Sequence, residues 1–364
     1  MSVTEENPIM VMAGGTGGHV FPALAVAEYL RRKGEAIVWL GTRCGIESRV
    51  VPDADFAMEW LSIQGLRGKG AMAWLLAPFR LLWACWQAYR ILWRLHPKAV
   101  LGMGGFVSGP GGLMAWLLRI PLIVHEQNAV TGFTNRLLGR FASQNYFAFP
   151  QIVKNPPPGE CIGNPVREAL LKLETPEVRL MARLHDKMNI LVIGGSLGAA
   201  SLNRMVPAAI AKIEPALRPH IKHQCGYRHL PVCRQHYRDT GVTAEVLTFI
   251  DDMAPVYAWA DLVICRAGAL TVAELTTVGL GSILIPYPYA VDDHQYQNAR
   301  FLEANQAARI LRESELDADS LVALIKIYLQ DRTALITLAN HAHALAKTDA
   351  TEQLAEGVLA RARL

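Results

Sequence analysis

Two short stretches, VMAGGTGGH from Val11 and LVIGGSLGA from Leu191, lie 180 residues apart in a chain of 364 and carry the same sequence of events. Each is an apolar run, then two glycines and a hydroxyl residue, then a helical pattern. Overlaid, Gly14, Gly15, Thr16 and Gly18 meet Gly194, Gly195, Ser196 and Gly198. A strand that ends in a glycine turn and feeds a helix aims backbone N–H groups and the positive end of a helix dipole at one point, where an anion is stabilised. Repetition at half the chain length predicts two doubly wound domains in tandem, each opening on such a turn. A tight turn with no ligand, as any doubly wound domain can contain, is the competing reading.

The rest of the chain fits that frame. Strand-like runs near 9–13, 36–40, 98–103, 121–124 and 144–147 alternate with helical patterns near 20–33, 72–95, 110–119 and 131–140. A stretch dense in Pro and Gly, FPQIVKNPPPGECIGNPVRE, forms a hinge around 150–167. Strands then recur near 189–193, 220–224, 244–248, 261–265, 282–286 and 307–310, and three helical stretches close the chain. Alternation of this kind predicts α/β architecture with parallel sheets.

Several chemistries are excluded by spacing. Counted from Gly15, the dinucleotide fingerprint would need glycine where Val20 stands, and the second strand, AIVWLGT, ends without the acid that holds a ribose. No Gly-Lys-Ser/Thr follows either glycine turn. A net charge of +4 is too small for a nucleic-acid partner but suits a local basic patch against anionic lipid or phosphate. The six cysteines show no C-x-x-C and no clustered histidines, which argues against a zinc site and for a reducing cytosol. MSVTEENP is acidic and polar, so it does not read as a signal peptide.

Polar loops at strand ends supply the candidate sites. GGSLG is also G-x-S-x-G, the nucleophile elbow of α/β-hydrolases, which would make Ser196 a nucleophile with Asp261 or Asp292 and His294 as partners. DLVICRAGALTVAEL places Gly268 to Thr271 at a helix start, with Arg266 beside it and Glu274 one turn on, where it could accept from a ribose diol or simply sit near a helix dipole. HEQN (His125 to Asn128) and GMGGFVSGPGG (Gly102 to Gly112) follow strands, and DDHQYQNA offers Gln295 and Asn298 to sugar hydroxyls. The D-x-D strings at Asp53/Asp55 and Asp317/Asp319 read as helix caps or solvated acids rather than metal ligands, and no metal set is expected.

The stretch 72–95, MAWLLAPFRLLWACWQAYRILWRL, winds Leu75, Phe79, Leu82, Trp86, Tyr89 and Trp93 onto one face and Trp74, Leu81, Cys85 and Leu92 onto the other. Its uncharged runs are too short to span a bilayer. An interfacial membrane patch built on Leu75, Phe79, Leu82, Trp83 and Trp86, with Arg67 and Lys69 at the headgroups, competes with a second buried contact or a dimer face.

Taken in order, GGTGGH, QGLRGKG, LGMGGFVSGPGG, HEQN, GNPVR, GGSLGA, FIDDM, RAGALTVAE and the loop at 292–298 resemble the MurG family, from about residue 9 to the end. That resemblance implies a GT-B fold of two Rossmann-like domains facing a cleft: residues 1–166, joined by a last helix about 346–364, for the acceptor and membrane, and 167–345 for the donor. It implies an inverting glycosyltransferase that moves N-acetylglucosamine from UDP-N-acetylglucosamine to the 4-hydroxyl of the N-acetylmuramic acid of lipid I, giving lipid II, with no cofactor. The implied place is the cytoplasmic face of the inner membrane, peripherally bound, with other cell-wall synthesis or division proteins as further partners.

Carried over residue by residue, the Ile250 backbone would hold uracil and Glu274 the ribose diol. Arg167, Ser196 and the turn from Ala269 through Leu270 to Thr271 would hold the diphosphate, Val272 and Ala273 would also lie on the donor side, and Gln295 would read the sugar hydroxyls. Thr16, Gly17, Gly18 and Asn128 would face both sugar and acceptor, with Gly15, Gly104, Gly105 and Phe106 completing the acceptor side. His19 would be the general base, and the first glycine turn would grip the acceptor's diphosphate. Ala267 stands where the family has serine, and His294 where it has the first of two glutamines, so no contact is carried over to those two side chains.

Overall fold

The structure, a computed structural model, describes residues 7–63, 75–152, 156–195 and 197–363. The described residues form two compact units: residues 1–167 with 348–364, and residues 168–347.

The first unit is built on a parallel sheet of β1 (Ile9–Met12), β2 (Ile37–Gly41), β3 (Ala57–Trp60), β4 (Ala99–Gly102), β5 (Leu122–Glu126), β6 (Gln144–Phe147) and β7 (Glu160–Cys161). Its strand order is β3-β2-β1-β4-β5-β6-β7. The second holds β8 (Asn189–Ile193), β9 (His220–Gln224), β10 (Glu245–Leu247), β11 (Leu262–Cys265), β12 (Gly281–Leu284) and β13 (Ala308–Ile310), ordered β10-β9-β8-β11-β12-β13 and again parallel. Renumbered from its own first strand, the second order is 3-2-1-4-5-6, identical to the first six strands of the other sheet. Both glycine turns therefore leave the first strand at the point where strand order reverses, the place where open α/β sheets bind ligands.

Both faces of the central strands are covered, so these strands are apolar throughout instead of alternating. In the first unit Ile9 and Val11 point to the face packed by the helix Gly17–Arg32 and the last helix, Ala350–Ala362, through Val20, Val26, Leu30, Leu354 and Val358. Met10 and Met12 point the other way, toward Leu92, Ala115 and Leu138. Each such fully buried side chain stabilises the fold by roughly 1.5–3 kcal/mol relative to exposure.

Three differences from the sequence reading have physical causes. The edge strand β3 was not expected, because AMEW is only half-buried and carries a glutamate, so it lacks a strand's apolar run. The two-residue β7 lies inside the Pro/Gly-rich hinge, where nothing in the composition marks pairing. The helix Ala77–Leu95 touches the core through Ala84, Ala88 and Leu92, a stripe spaced by four, and leaves both of its bulky faces largely in solvent. Small side chains let it lie close to the neighbouring helix Ser108–Leu117, and weighting by side-chain size misses such a stripe. Residues 72–74, with Arg67 and Lys69, lie outside the described residues.

Candidate active site

In the first unit the glycine turn is built around a buried carboxylate. Glu47, the first residue of the helix Glu47–Asp53, accepts from the Gly15 N–H at 2.9 Å, the Thr42 N–H at 3.0 Å and the Thr42 hydroxyl at 2.7 Å. Gly14 must lack a side chain here, since a Cβ would stand 2.6 Å from Glu47 Oε1. Nothing in GIESRV marks this glutamate, and the sequence reading missed it. Thr16 is the extended residue before the helix, and Gly17, Gly18 and His19 form its first turn.

The loop after β4 closes on that turn. Gly105, at φ +83°, approaches so near that a Cβ would lie 2.4 Å from the Gly14 carbonyl oxygen. The buried Ser108 hydroxyl ties the loop by donating to the Gly104 carbonyl at 2.8 Å and accepting from the Gly104 N–H at 3.1 Å. Phe106 is left exposed.

HEQN behaves differently from its reading as a ligand-facing loop. His125 and Glu126 are the last residues of β5, and His125, Glu126 and Gln127 are all buried. His125 Nε2 lies 2.9 Å from the Gly163 carbonyl oxygen, and Gln127 Nε2 lies 3.2 Å from both His125 Nδ1 and the His125 carbonyl oxygen. Gln127 Oε1 is 2.9 Å from His19 Nδ1. Burial holds the His125 pKa down to about 4, against 6.5 in water, with a smaller push in the same direction from His19 and an opposing one from the Gly163 carbonyl. Glu126 accepts from the Asn128 N–H and the Gly132 N–H, each at 3.0 Å, and from the Asn135 amide at 2.9 Å, so it fixes the loop that carries Asn128. Asn128 alone of the four is half-exposed.

In the second unit the turn after β8 is pinned by a neutral amide. Gln224, at the end of β9, accepts from the Gly195 N–H at 3.1 Å and donates to the Gly195 and Thr248 carbonyls at 3.1 and 3.0 Å. Ser196 lies outside the described residues. Beside this turn, after β11, the helix Ala269–Val278 starts with neither an acidic residue nor a side-chain cap in its first turn, so the N–H groups of its first turn face outward without a competing anion. Glu274, one turn in, is buried and accepts from the Tyr257 hydroxyl at 2.9 Å. Val272 is buried, while Leu270, Thr271, Ala273 and Ile250 are half-exposed.

Gln295 Oε1 accepts from the Tyr287 N–H at 3.0 Å, and the buried Asn298 donates to the Ala267 carbonyl at 3.1 Å, tying the two loops together. Asp292 and Asp293, just ahead, are both left-handed, and His294 turns its Nδ1 back to the Val291 carbonyl at 2.8 Å.

Two residues are placed otherwise than expected. Arg167 belongs to the first unit, its guanidinium 4.7 Å over the Phe21 ring, so its assignment to the second domain is corrected. Arg266 braces the sheet: it donates to the Ile285 and Pro286 carbonyls and to Ser201, and pairs with Glu313 at 2.5 Å. The hydrolase partners fail too. Asp261 precedes β11, which runs parallel to β8, so it lies at the opposite end of the strands from the turn after β8, and it is held between Arg183 at 3.0 Å and Arg332 at 2.9 Å. Asp317 caps the helix Ala318–Gln330 in a capping box with Ser320.

Residues 9–147 match the glycosyltransferase family 28 N-terminal domain, and residues 189–354 its C-terminal domain. A protein of Alkalilimnicola ehrlichii is 52% identical over 356 residues, covering 98% of this chain and 99% of its own length. One of Nitrosococcus oceani is 50% identical over 351, covering 96% and 98%. Both are named UDP-N-acetylglucosamine--N-acetylmuramyl-(pentapeptide) pyrophosphoryl-undecaprenol N-acetylglucosamine transferase. The crystal structure of Acinetobacter baumannii MurG superposes with a TM-score of 0.83 at 40% identity, covering 98% of this chain and all of that one.

Proposed function

The chain belongs to the MurG family of glycosyltransferase family 28, and from that premise we propose that it transfers N-acetylglucosamine from UDP-N-acetylglucosamine to lipid I, giving lipid II. What carries the reading is similarity at about half identity along 98% of the chain. The two Rossmann-like parallel sheets are those of the GT-B class. The hydrolase reading has no support: the similar proteins are named transferases, Asp261 is held by two arginines and His294 turns its Nδ1 to the Val291 carbonyl.

The residue roles are those the family resemblance implies, and the local chemistry is in keeping with them. In the second unit, UDP binds with uracil at the Ile250 backbone and the ribose diol at Glu274, whose placement by Tyr257 favours such a contact. The diphosphate is taken by the open helix start at Ala269 to Thr271 together with the turn that contains Ser196, and Gln295 reads sugar hydroxyls. In the first unit, His19 Nε2 accepts the proton as the acceptor's 4-hydroxyl oxygen bonds to the sugar C1 and the bond from C1 to the UDP oxygen breaks. Backbone N–H groups and the helix dipole stabilise the charge that develops on UDP. Inversion at C1 follows from this single displacement.

The protein meets the membrane from one side. No helix among the described residues is long and apolar enough to cross a bilayer. Leu75 and Phe79 (69% exposed each), Leu82 (68%) and Trp86 (46%) instead form an apolar face, with Trp83 stacked on Trp86 at 4.7 Å and Arg90 over it. Trp116, Leu117 and Phe133 on the neighbouring helices are exposed as well. Aromatic and aliphatic bulk beside Arg80, Arg90 and Arg94 suits an anionic interface.

Labelled UDP-N-acetylglucosamine with a lipid I analogue tests the chemistry. His19→Ala is expected to lower kcat at least 100-fold, the usual size of a general-base contribution of about 10²–10⁴, whereas Glu274→Ala raises KM for the donor. Full transfer by both variants would remove the assignment. For the membrane face, Phe79→Glu with Trp86→Glu should abolish co-sedimentation with anionic vesicles, and sedimentation like wild type would show that this helix is not the contact.

A further inference from the structure

We infer that Gln127, itself oriented by His125, locks His19 in the tautomer that carries its proton on Nδ1 and leaves Nε2 as a bare proton acceptor. The inference deepens the assignment of His19 as base and rests on it for its catalytic consequence, but the tautomer itself can be observed independently.

The chain of hydrogen bonds has a fixed beginning. A carbonyl oxygen only accepts, so the contact of 2.9 Å between His125 Nε2 and the Gly163 carbonyl places the His125 proton on Nε2. In the neutral imidazole, Nδ1 is then an acceptor. The side-chain group 3.2 Å from it must donate, which makes it the Gln127 NH₂, and the His125 carbonyl at the same distance demands a donor as well. Gln127 therefore presents its carbonyl oxygen at its other end. That oxygen, 2.9 Å from His19 Nδ1, can only accept, so the His19 proton is on Nδ1.

Nothing along this path is free to reverse. His125 and Gln127 are buried, and a charged His125 would have to turn a donor toward the Gln127 amide. Burial opposes that charge. Room for the last link is provided by Gly104, at φ +96°: a Cβ there would stand 2.7 Å from His19 Nδ1 and 3.4 Å from Gln127 Oε1. HEQN thus supplies two positioning residues behind the histidine, and the ring's outer nitrogen is held ready to take a proton without first losing one.

Long-range ¹H–¹⁵N NMR of the full chain labelled at histidine reads the tautomer directly. Wild type at neutral pH should show a His19 resonance pair with Nδ1 protonated and Nε2 bare. Gln127→Leu should shift it toward the Nε2-protonated form and lower kcat about 10- to 100-fold with the donor KM within about twofold. Gln127→Glu keeps an acceptor for His19 and should retain the tautomer and part of the rate. A wild-type His19 protonated on Nε2 overturns the inference even if no variant folds, as does a folded Gln127→Leu with unchanged tautomer and kcat. Should His19→Ala transfer at full rate while the Nδ1-protonated form is seen, the base assignment falls and the lock stands.

Discussion

The two glycine turns begin alike and then part. Gly15 and Gly195 share a left-handed backbone, at φ +93° and +83°, and each N–H is held by a side chain that follows or ends the adjacent strand. In the first unit that side chain is the Glu47 carboxylate; in the second it is the Gln224 amide. After the first turn the helix starts at once, at Gly17, so Gly18 is helical. After the second, its sequence counterpart Gly198 is left-handed and the helix waits until Ala200. One backbone device has thus been given different electrostatics, a carboxylate in one unit and a neutral amide in the other. A carboxylate behind the first turn weighs against an anion there and suits that turn to the mounting of His19 proposed above. The second turn has no charge behind it and is the better anion cradle.

The largest effects should come from the glycines whose missing side chains let loops touch. A Cβ on Gly105 would lie 2.4 Å from the Gly14 carbonyl oxygen, and one on Gly198 would lie 2.1 Å from the Cys225 carbonyl oxygen, both at positive φ. Backbone strain and overpacking together put Gly105→Ala and Gly198→Ala at about 4 kcal/mol of destabilisation each. Gly15 and Gly195 have open space around them, so alanine there costs only the left-handed backbone, about 1 kcal/mol. Chemical denaturation of all four variants checks the pairing. Equal losses at all four sites would mean that the close approaches are not what the glycines serve.

Each unit also buries one histidine in a hydrogen-bonded chain, and these chains end differently. His223 lies 3.0 Å from Asn203 Oδ1 and 2.9 Å from the Tyr237 hydroxyl, with Asn203 donating to the Cys225 carbonyl; every member is buried. The chain through His125 ends instead on the half-exposed His19. Burial depresses both pKa values, to about 4 for His125 and about 3 for His223. The unfolded chain therefore binds these protons more readily. Stability is whole above pH 6.5 and falls as pH drops from there toward the folded values, by roughly 3 kcal/mol at pH 4 for His125. Urea unfolding from pH 7 to 4 should show this limb, and His223→Gln should remove the His223 share of it, leaving that of His125, with transfer at pH 7 unchanged in a folded protein. An acid limb unaffected by that variant would mean that His223 contributes nothing to it.

Much of this was legible in the sequence because parallel α/β units write themselves in apolar runs and glycine turns. The central strands of both sheets and the echo itself are of this kind. What escaped is polar and buried. Glu47 stands in an unremarkable helix start, Arg266 reads as a charge beside a binding turn, Asp261 as a candidate triad acid, and HEQN as a ligand loop. Their partners are distant in sequence: Glu47 meets Gly15 across 32 residues, and His19 meets Gln127 across 108. A buried polar residue is satisfied only by what folding brings to it, and local pattern carries no record of that. Arg167 shows the same limit, since its place over Phe21 depends on where the hinge returns.

The smallest effect breaks the comparison most directly, because it moves the first turn's charge under the second. Gln224→Glu keeps the side chain's shape and its bond from the Gly195 N–H but puts a carboxylate behind the turn. At an effective dielectric of about 20 and a separation of roughly 7 Å, like charges repel by about 2 kcal/mol, which is about 30-fold in the Kd for UDP. Glutamate also loses the donors to the Gly195 and Thr248 carbonyls, so Gln224→Met, which loses them without adding charge, is the reference. The complementary change, Glu47→Gln, should leave UDP affinity within about twofold, since that charge lies behind the turn that carries His19. Calorimetric titration of UDP into the three folded variants decides it. If Gln224→Glu and Gln224→Met bind UDP equally, the charge behind a glycine turn does not select what the turn holds, and the different clamps of the two units are only two ways to fix the same backbone.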